Sequence, residues 1–404
     1  MQEREVVVLS AVRTAIGKFG GGLKDVPASV LAAKVVSEAV QRSGTSPDTI
    51  GHVVFGNVIH TEGRDMYLSR VAAVRGGLPV ATPALTLNRL CGSGLQAILT
   101  AADAIRLGHC DAAVGGGVEC MSRAPYWMPT LRWGARLNDA AAVDALVASI
   151  TDPFDNVHMG ITAENIAQRF GISRQAQDCL AVESHRRAIA AIEAGRFTGQ
   201  IVPVEIKAKS GTVVFDRDES PRADATRENL GKLKPAFRED GTVTPGNASS
   251  INDGAAALTI MEAGAARAKG LKPVARLVDY AVVGVEPDIM GMGPVPAIRK
   301  LMDRTGLDVA DMDVIELNEA FAAQALAVQR ELQLPVDKTN PNGSGISLGH
   351  PIGATGAIIT VKALHELERI GGRYALVSMC IGGGQGIAAI FESMKNGKEE
   401  RNGN

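Results

Sequence analysis

A cysteine at position 91 lies where a strand is predicted to turn into a helix. The apolar segment 84–90 predicts a buried strand, Cys91-Gly92-Ser93-Gly94 predicts a tight turn, and segment 95–105, rich in small apolar residues, predicts a helix. A thiol at the start of a helix faces unpaired N–H groups and the positive end of the helix dipole. Both favour the reactive thiolate, so the pattern predicts a nucleophilic thiol with a lowered pKa. Cysteine thiols at helix starts can have a pKa of about 3.5–7.5. Taken alone, the same turn is also typical of a buried structural cysteine.

A histidine at position 350 stands in a loop that is dense in glycine. The loop Gly349-His350-Pro351-Ile352-Gly353 precedes a helix predicted over 357–367, and it offers the ring little apolar surface to pack against. An imidazole in such a loop can act as a base or as a hydrogen-bond donor near neutral pH. The alternative is a loop histidine whose ring nitrogens are simply satisfied.

A second cysteine, Cys380, ends the strand predicted over 373–380. The glycine run Gly382-Gly383-Gly384 follows it and would expose backbone N–H groups, which can line an oxyanion hole. A buried cysteine at a strand end is the alternative for this segment alone. Together with His350, the segment favours the catalytic interpretation of Cys91.

Four segments resemble the signature segments of the thiolase family and occur in the family's order. They are Asn88-Arg89-Leu90-Cys91-Gly92-Ser93-Gly94, Asn318-Glu319-Ala320-Phe321-Ala322, Gly349-His350-Pro351-Ile352-Gly353 and Cys380-Ile381-Gly382-Gly383-Gly384-Gln385-Gly386. The opening segment 12–21 is similar to the family's start, so the resemblance spans about residues 4 to 392. His158-Met159-Gly160 is similar to a segment of the bacterial biosynthetic-type acetyl-CoA acetyltransferases and β-ketothiolases.

The alternation of strands and helices predicts a mixed α/β protein, with hints of an internal duplication. Helices containing Ala97-Ile98-Leu99-Thr100 and Ala357-Ile358-Ile359-Thr360 are each followed by a strand that leads to a glycine triplet. The resemblance implies the thiolase fold, in which two similar halves form five α-β-α-β-α layers with an inserted loop domain. It predicts an N-terminal thiolase domain over 1–120 plus 252–272, a loop domain over 121–251 and a C-terminal thiolase domain over 273–404.

The resemblance also implies the reaction and the roles of five residues. A thiolase cleaves a 3-ketoacyl-CoA, or makes one by Claisen condensation, through an acyl-cysteine intermediate. Cys91 would be the acylated nucleophile, His350 would accept its proton, and Cys380 would exchange the proton of the acetyl-CoA carbanion. Asn318 would hold a water in one oxyanion hole together with His350, and the N–H groups of Cys91 and Gly382 would form the other.

The contacts to coenzyme A are predicted from weaker matches. Ser249 stands where a family serine meets the pantetheine, and Arg222 stands near the position of the adenine nucleotide. Four residues are predicted to wall the pocket: His158, Met159, Phe237 and Phe321. The sequence departs from the family's pattern at three positions, which are Cys120, Asn229 and Ser250.

Composition is that of an ordinary globular protein. The 404 residues are 46% hydrophobic and 21% charged, with a net charge of −2, so there is no electrostatic case for nucleic acid. No apolar run is long enough to span a bilayer, and the charged start does not resemble a signal peptide. Five scattered cysteines indicate reduced thiols and a cytoplasmic location. No spacing of cysteine or histidine suggests a metal, and we expect no cofactor, because coenzyme A and acyl-CoA are substrates.

Several functions are compatible with the sequence. The first is a short-chain β-ketothiolase, an acyltransferase linked to fatty acid metabolism, and its nearest alternative is a longer-chain 3-ketoacyl-CoA thiolase of fatty-acid β-oxidation. A ketoacyl synthase would carry a histidine or asparagine at position 380, and a non-catalytic acyl-CoA-binding protein would lack one of the three reactive residues. The resemblance also implies a homodimer or a homotetramer, with the aromatic loop 127–136 as the candidate tetramer contact.

Overall fold

The computed structural model describes residues 4–208 and 211–395 of the chain. Its strands are β1 (Val6–Arg13), β2 (Gly17–Lys18), β3 (His52–Gly56), β4 (Ala84–Leu87), β5 (Ala112–Cys120), β6 (Tyr126–Trp127), β7 (Val143–Asp144), β8 (Val204–Ala208), β9 (Gly211–Phe215), β10 (Asn252–Glu262), β11 (Ala275–Gly284), β12 (Val314–Leu317), β13 (Tyr374–Ile381) and β14 (Gln385–Ser393). Its helices are α1 (Ala28–Ser43), α2 (Leu68–Arg75), α3 (Ser93–Arg106), α4 (Ala145–Ser149), α5 (Met159–Arg169), α6 (Arg174–Glu193), α7 (Arg227–Gly231), α8 (Ala263–Ala268), α9 (Pro294–Thr305), α10 (Ala322–Leu332), α11 (Gly345–Leu348) and α12 (Ile352–Ile370).

The main strands form two half-sheets with the same pattern of pairing. In the first, β1, β10 and β5 pair antiparallel in that order, and β3 and β4 continue the sheet in parallel. In the second, β11, β14 and β13 pair antiparallel, and β12 continues it in parallel. Among the described strands, the half-sheets pair at a short antiparallel contact, where Val7 pairs with Arg276 and Val8 pairs with Ala275. The repeated pattern confirms the predicted pair of similar halves.

Helices lie on both sides of each half-sheet. Helices α3 and α12 pack side by side in the middle, and α12 contacts strands of both halves. Helix α1 covers the outer face of the first half-sheet, and α9 covers that of the second. This arrangement gives the five α-β-α-β-α layers that the sequence predicts.

Helix α12 is the most enclosed of the described helices that are longer than ten residues. Fifteen of its 19 residues are buried, which is expected for a helix that is apolar on all faces. The helix ends at Gly371, which adopts the left-handed conformation of a C-terminal glycine cap (φ 66°). It begins at Ile352, five residues before the predicted start, because Gly353 and Gly356 continue the helix although glycine disfavours helical structure.

The first turns of α3 and α12 touch backbone to backbone around strand β5. A Cβ atom added to Gly117 of β5 would lie 2.2 Å from the carbonyl oxygen of Gly353 and 2.9 Å from the Cα of Gly94. One added to Gly356 would lie 2.4 Å from the backbone nitrogen of Leu95. Only glycine fits these positions, and this close approach brings the segments that carry Cys91 and His350 together.

Three other predicted elements can be compared with the structure. The sequence also predicts an amphipathic helix over 173–194, which the structure shows as α6, and the strand predicted over 373–380 is β13, shifted by one residue. The strand predicted over 84–90 ends at Leu87 and is not buried, since Leu85 is 43% exposed. That prediction was wrong because β4 lies at the end of the strand order, where β3 is its only partner.

The segment between the halves carries short elements and exposed apolar side chains. Two-stranded sheets pair β6 with β7 and β8 with β9, and helix α6 packs against α10 and α11. In the loop after β6, Trp133 is 85% exposed and Leu137 is 86% exposed. The predicted domain boundaries stay a prediction.

Across residues 4–208 and 211–395, no helix has both the length and the apolar character needed to cross a membrane.

The glycine contact predicts a sharp difference between two glycine-to-alanine variants. Gly117→Ala places a methyl group against backbone atoms that cannot rotate away, so we expect a loss of about 1–3 kcal/mol or more in stability. Gly63→Ala meets no atom within 4 Å, and we expect a change within about 0.5 kcal/mol. Thermal unfolding of the two variants beside the wild type measures both effects. Equal unfolding midpoints for the two variants would contradict the proposed close contact.

Candidate active site

Cys91 follows a strained and heavily bonded turn. Leu90, the residue before it, adopts a left-handed conformation (φ 43°), which is unusual for a residue other than glycine. The backbone N–H of Leu90 donates to Asn88 Oδ1 (2.8 Å), and Ser93 Oγ donates to the Leu90 carbonyl (2.7 Å). Strain of this kind persists where surrounding bonds enforce it, commonly at functional sites. A leucine carries no sequence signal for this conformation, so the sequence analysis missed it.

The surroundings of the Cys91 thiol act on its pKa in opposite directions. Burial raises the pKa above its ordinary value, and the negative charge of Glu119 adds to that effect. Hydrogen bonds from the backbone N–H groups of Gly382 and of Cys91 itself lower it, but burial outweighs them. The predicted lowering of the Cys91 pKa is therefore wrong for the free protein. The resting group is a thiol, and its activation requires a base.

His350 is buried and held by one hydrogen bond that fixes its tautomer. Its Nδ1 lies 2.7 Å from Thr355 Oγ1, and the same hydroxyl donates its proton to the carbonyl oxygen of Pro351 (2.9 Å). Since the hydroxyl has a single proton, Nδ1–H of the ring is the donor and Nε2 carries the lone pair. Burial lowers the His350 pKa to about 4, so the ring is a neutral base at physiological pH.

Asn318 lies beside His350 at the end of strand β12. Its side chain is fully buried, and its Nδ2 lies 3.5 Å from Nε2 of His350. Its Oδ1 accepts no hydrogen bond from any described residue and is therefore available to a donor in the site. A backbone hydrogen bond from the Asn318 N–H to the carbonyl of Ser378 (3.0 Å) ties it to the strand that carries Cys380.

Cys380 and Gly382 approach Cys91 from the second half of the protein. Burial raises the pKa of the Cys380 thiol far above its ordinary value, and the nearby Cys91 raises it further. Cys380 is therefore a protonated thiol at rest, which suits a proton donor. At Gly382 an added Cβ would lie 2.6 Å from Met159 Cε and 3.0 Å from Leu90 Cδ1, which are the ends of two flexible side chains. The backbone N–H of Gly382 donates a hydrogen bond to the Cys91 sulfur.

An apolar cavity of about 230 Å³ opens above these groups. It is lined by eight of the eleven predicted site residues: Cys91, His158, Met159, Phe237, Ser249, Phe321, His350 and Gly382. The His158 ring stacks on Phe237 (centroids 4.5 Å apart), and Phe237 meets Phe321 edge-on at 6.3 Å. His158 Nδ1 accepts the Gly160 N–H (3.0 Å), so in the neutral ring the proton lies on Nε2.

The other three predicted site residues lie outside this cavity. Asn318 and Cys380 lie in its buried surroundings, next to His350 and Cys91 respectively. Arg222 lines a second, more polar cleft of about 410 Å³, together with Asn229 and Lys18. The two cavities share Pro245, Ala248 and Ser250, so they form one continuous path from the surface to Cys91.

The structure adds residues that the sequence analysis did not assign to the site. Ile150, Ala320 and Ile352 line the inner cavity, and Thr355 fixes the ring of His350. Thr355 lies five positions after His350 in the same glycine-rich segment, and the sequence gives no further signal for it. Apolar lining residues have no such signal, because they are indistinguishable from core in a sequence.

Ser250, where the family usually has glycine, is connected to the site through Asn252. Ser250 Oγ donates to Asn252 Oδ1 (2.8 Å), which also accepts the backbone N–H of His350 (2.9 Å). Within residues 4–208 and 211–395, no group of three or more His, Cys, Asp or Glu side chains is arranged to hold a metal ion.

Comparison with known protein families gives two matches that together cover nearly the whole chain. Residues 6–264 match the thiolase N-terminal domain, and residues 271–393 match the thiolase C-terminal domain. Among characterised relatives, a beta-ketothiolase of Cupriavidus necator (BktB) is 64% identical over 390 residues, which cover 96% of this chain and 99% of the relative. An acetyl-CoA acetyltransferase of Pseudomonas aeruginosa is 48% identical over 387 residues, covering 95% of this chain and 98% of the relative.

Solved structures give the same result. The acetyl-CoA acetyltransferase of Bacillus anthracis superposes with a TM-score of 0.95 at 48% identity, covering 97% of this chain and 99% of that one. Human mitochondrial 3-ketoacyl-CoA thiolase in complex with CoA superposes with a TM-score of 0.94 at 45% identity, covering 96% of this chain and 98% of that one.

The bonding of His350 predicts its titration. Its proton should lie on Nδ1 and its pKa should be near 4, against about 6.5 for an unperturbed histidine. The unfolded chain then binds a proton that the folded chain does not, so this residue's contribution to stability is lost as pH falls from about 6.5 to 4. Nitrogen NMR of ¹⁵N-histidine-labelled protein measures both tautomer and midpoint, and His350→Asn assigns the signal. A midpoint near 6.5, or a proton on Nε2, would contradict the arrangement.

Proposed function

Because this chain belongs to the thiolase family, we propose that it is a biosynthetic-type β-ketothiolase that cleaves or forms short-chain 3-ketoacyl-CoA. The enzyme is an acyltransferase of the acetyl-CoA C-acyltransferase type. One observation carries the proposal: Cys91, the neutral imidazole of His350 and Gly382 line a single apolar cavity, and the Gly382 N–H donates to the Cys91 sulfur. Cys380, a second, protonated thiol, lies near Cys91.

The first half-reaction forms an acyl-cysteine. Nε2 of His350 takes the proton of Cys91, and the sulfur attacks the 3-keto carbon of the substrate. The resulting alkoxide collapses, the bond between C2 and C3 breaks, and the electron pair leaves on the acetyl-CoA enolate. Cys380 donates its proton to that carbanion, which releases acetyl-CoA and leaves Cys380 as a thiolate.

The second half-reaction returns every proton to its starting position. The thiol of coenzyme A gives its proton to the Cys380 thiolate and attacks the acyl carbon on Cys91. The Cys91 sulfur leaves and recovers its proton from the imidazolium of His350. The products are an acyl-CoA and the resting enzyme, and the reverse sequence is the Claisen condensation.

Two sets of donors would stabilise the negative charges of this sequence. The N–H groups of Cys91 and Gly382 already point at the Cys91 sulfur, so they are placed for the alkoxide that forms next to it. Asn318, beside Nε2 of His350, would hold a water that faces the enolate oxygen. Both sets lie in a buried site, where such hydrogen bonds are worth more than in water.

The continuous path from the cleft to the cavity fits a long thioester. The inner, apolar part would take the acyl chain and the pantetheine, walled by His158, Met159, Phe237 and Phe321, with Ser249 at the pantetheine. The outer, polar cleft with Arg222 would take the nucleotide end. We propose that coenzyme A is a substrate and that the reaction uses no cofactor.

Location and assembly are further parts of the proposal. All five cysteines are free thiols, which supports a cytoplasmic location. We infer a homodimer or a homotetramer from the exposed aromatic loop, where Tyr126, Trp127 and Trp133 are all at least half exposed. Light scattering that gave the mass of a single 42.2 kDa chain at micromolar concentration would contradict this assembly.

The competing functions are less well supported. A longer-chain thiolase of fatty-acid β-oxidation is not favoured, because the chain is 64% identical to a beta-ketothiolase and 48% identical to an acetyl-CoA acetyltransferase. A ketoacyl synthase would not place a thiol at position 380. A non-catalytic binding protein would have no reason to keep both cysteines and the histidine together.

Trapping the intermediate tests the proposed function directly. Incubation with radiolabelled acetyl-CoA, followed by rapid acid quench and peptide mapping, should place label on Cys91 alone. Cys91→Ala should lose thiolysis and labelling while acyl-CoA binding stays largely intact, because the substitution removes one sulfur atom and leaves the other lining residues in place. Cys179, a free cysteine on helix α6, supplies the matched control as Cys179→Ala, which should label normally. Label on Cys110, Cys179 or Cys380 instead of Cys91 would overturn the assignment.

Replacing the second thiol should separate the two proton transfers. Cys380→Ser should still become acylated at Cys91 but should exchange the methyl protons of acetyl-CoA with solvent about 10²–10⁴-fold more slowly, the usual contribution of a general acid–base group. Proton NMR in D₂O follows the exchange. Undiminished exchange in this variant would move the role to another residue.

Two methionines in the cavity predict that the enzyme accepts substrates with acyl chains of several lengths. Met159 and Met290 both line it, and flexible methionine side chains adapt to different contents. We therefore expect activity with acetoacetyl-CoA and also with 3-ketovaleryl-CoA and 3-ketohexanoyl-CoA. One methylene in an apolar pocket is worth about 1–3 kcal/mol, or roughly 10–200-fold. A loss of kcat/KM of about a thousandfold for one added methylene would exceed that range and indicate a strict acetoacetyl-CoA thiolase.

A further inference from the structure

A buried carboxylate beside the site takes no part in the steps above. Glu119 is the penultimate residue of strand β5, and its side chain is completely buried. No Lys, Arg or His side chain among the described residues forms an ion pair with it. Burying a carboxylate without an ion-pair partner costs free energy unless hydrogen bonds stabilise it. The donors of those hydrogen bonds therefore indicate the role of Glu119.

Four N–H donors converge on the two oxygens of Glu119. Oε1 accepts from Asn57 Nδ2 (3.1 Å) and from the backbone N–H of Ile59 (3.0 Å). Oε2 accepts from the backbone N–H of Val58 (3.1 Å) and of Gly353 (2.9 Å). Three of the donors belong to the segment that follows strand β3, and the fourth belongs to the first turn of helix α12. Glu119 therefore joins the two halves of the protein through one side chain.

Both bonded segments touch the catalytic residues. Gly353 is three residues after His350, at the start of the helix that follows the histidine loop. Ile59 and Ile352 pack in one apolar cluster with Cys91. A Cβ atom added to Gly353 would lie 2.5 Å from Oε2 of Glu119, so the contact leaves no room for adjustment.

We infer that Glu119 is a positioning residue for the reaction proposed above, which fixes the distance between the Cys91 segment and the His350 helix. Its carboxylate holds the segment 57–59 beneath Cys91 and the first turn of α12 with one rigid group. A carboxylate is suited to this task because each of its oxygens accepts two hydrogen bonds, whereas an amide presents one accepting oxygen and one donating nitrogen.

The charge of Glu119 supplies a second, separate readout. Burial raises the pKa of Glu119 to about 8 and the neighbouring Asp65 adds to that effect, while the backbone N–H groups of Ile59, Val58 and Gly353 oppose it. Four N–H donors bond the ionised form of the group, and above that pH the ionised carboxylate raises the pKa of Cys91. The other titratable groups near this pair are His350, Cys380 and Cys120, and the pKa of the Cys120 thiol is raised by burial first and then by Asp253 and Glu119.

Two variants separate geometry from charge. Glu119→Gln places an NH₂ group against two of the four N–H donors and removes the charge. Glu119→Asp keeps the charge and shortens the reach. Glu262→Gln is the matched control, since Glu262 also caps backbone N–H groups of a helix, those of Gly264 and Ala265, at the far end of β10.

The test combines turnover of acetoacetyl-CoA with the pH dependence of Cys91 alkylation by iodoacetamide. Both Glu119 variants should lose about 10²-fold in kcat, the cost of a displacement of about 1 Å, with little change in KM. In Glu119→Gln alone, the midpoint of Cys91 alkylation should move to lower pH. Turnover equal to that of Glu262→Gln would overturn the proposal, as would equal alkylation midpoints in the Gln and Asp variants.

The alkylation arm does not depend on the proposed function. A wild-type protein without thiolysis would refute the β-ketothiolase assignment, whereas the shift in Cys91 alkylation would still report on Glu119. If Glu119→Gln fails to fold, Glu119→Asp decides the outcome, with kcat and KM measured separately. A fall in kcat with unchanged KM supports positioning, and a parallel loss of activity and thermal midpoint overturns it.

Discussion

The structure depends on a contact that only glycine permits, between the first turns of helices α3 and α12 across strand β5. Gly94, Gly117 and Gly353 bring backbone against backbone there, with no side chain between. The first turns of both helices meet at this contact, where the Gly353 N–H of α12 donates to Glu119 and the Ser93 N–H of α3 donates to the Leu90 carbonyl. Cys91 and His350 lie just before these turns. Main-chain packing therefore brings their two segments together, and the hydrogen bonds of Glu119 link the same two segments through a side chain.

Placing the site at this buried centre has an electrostatic consequence. Burial raises the pKa of both thiols and lowers that of the histidine, so all three groups are neutral at rest. A proton moved from Cys91 to His350 creates an ion pair in a poorly solvated space, where nearby N–H groups count most. The N–H of Gly382 and the start of α3 therefore stabilise mainly the negative charge that appears during the proposed reaction, rather than a permanent thiolate.

Much of this arrangement could be predicted from the sequence, and the reasons differ between residues. Cys91, His350 and Cys380 stand in glycine-rich segments that mark close approach, and the repeated helix–strand–glycine pattern indicated two similar halves. The direction of the shift in the Cys91 pKa was predicted wrongly, because a sequence indicates a helix start but not how deeply that start is buried. The exposure of β4 was missed because an apolar strand looks the same at an edge as in a core. The left-handed conformation of Leu90 carries no signal because leucine rarely adopts it, and the four donors around Glu119 arise from tertiary contacts that no local pattern encodes.

The two halves of the chain divide the proposed catalytic residues between them. The first half carries Cys91, and the second carries His350 and Cys380, while two residue pairs of the described strands join the half-sheets by a strand ladder. In the proposed mechanism, neither half alone holds a base beside a nucleophile. Cys91 therefore has its proposed base beside it only in a chain whose two halves are folded together.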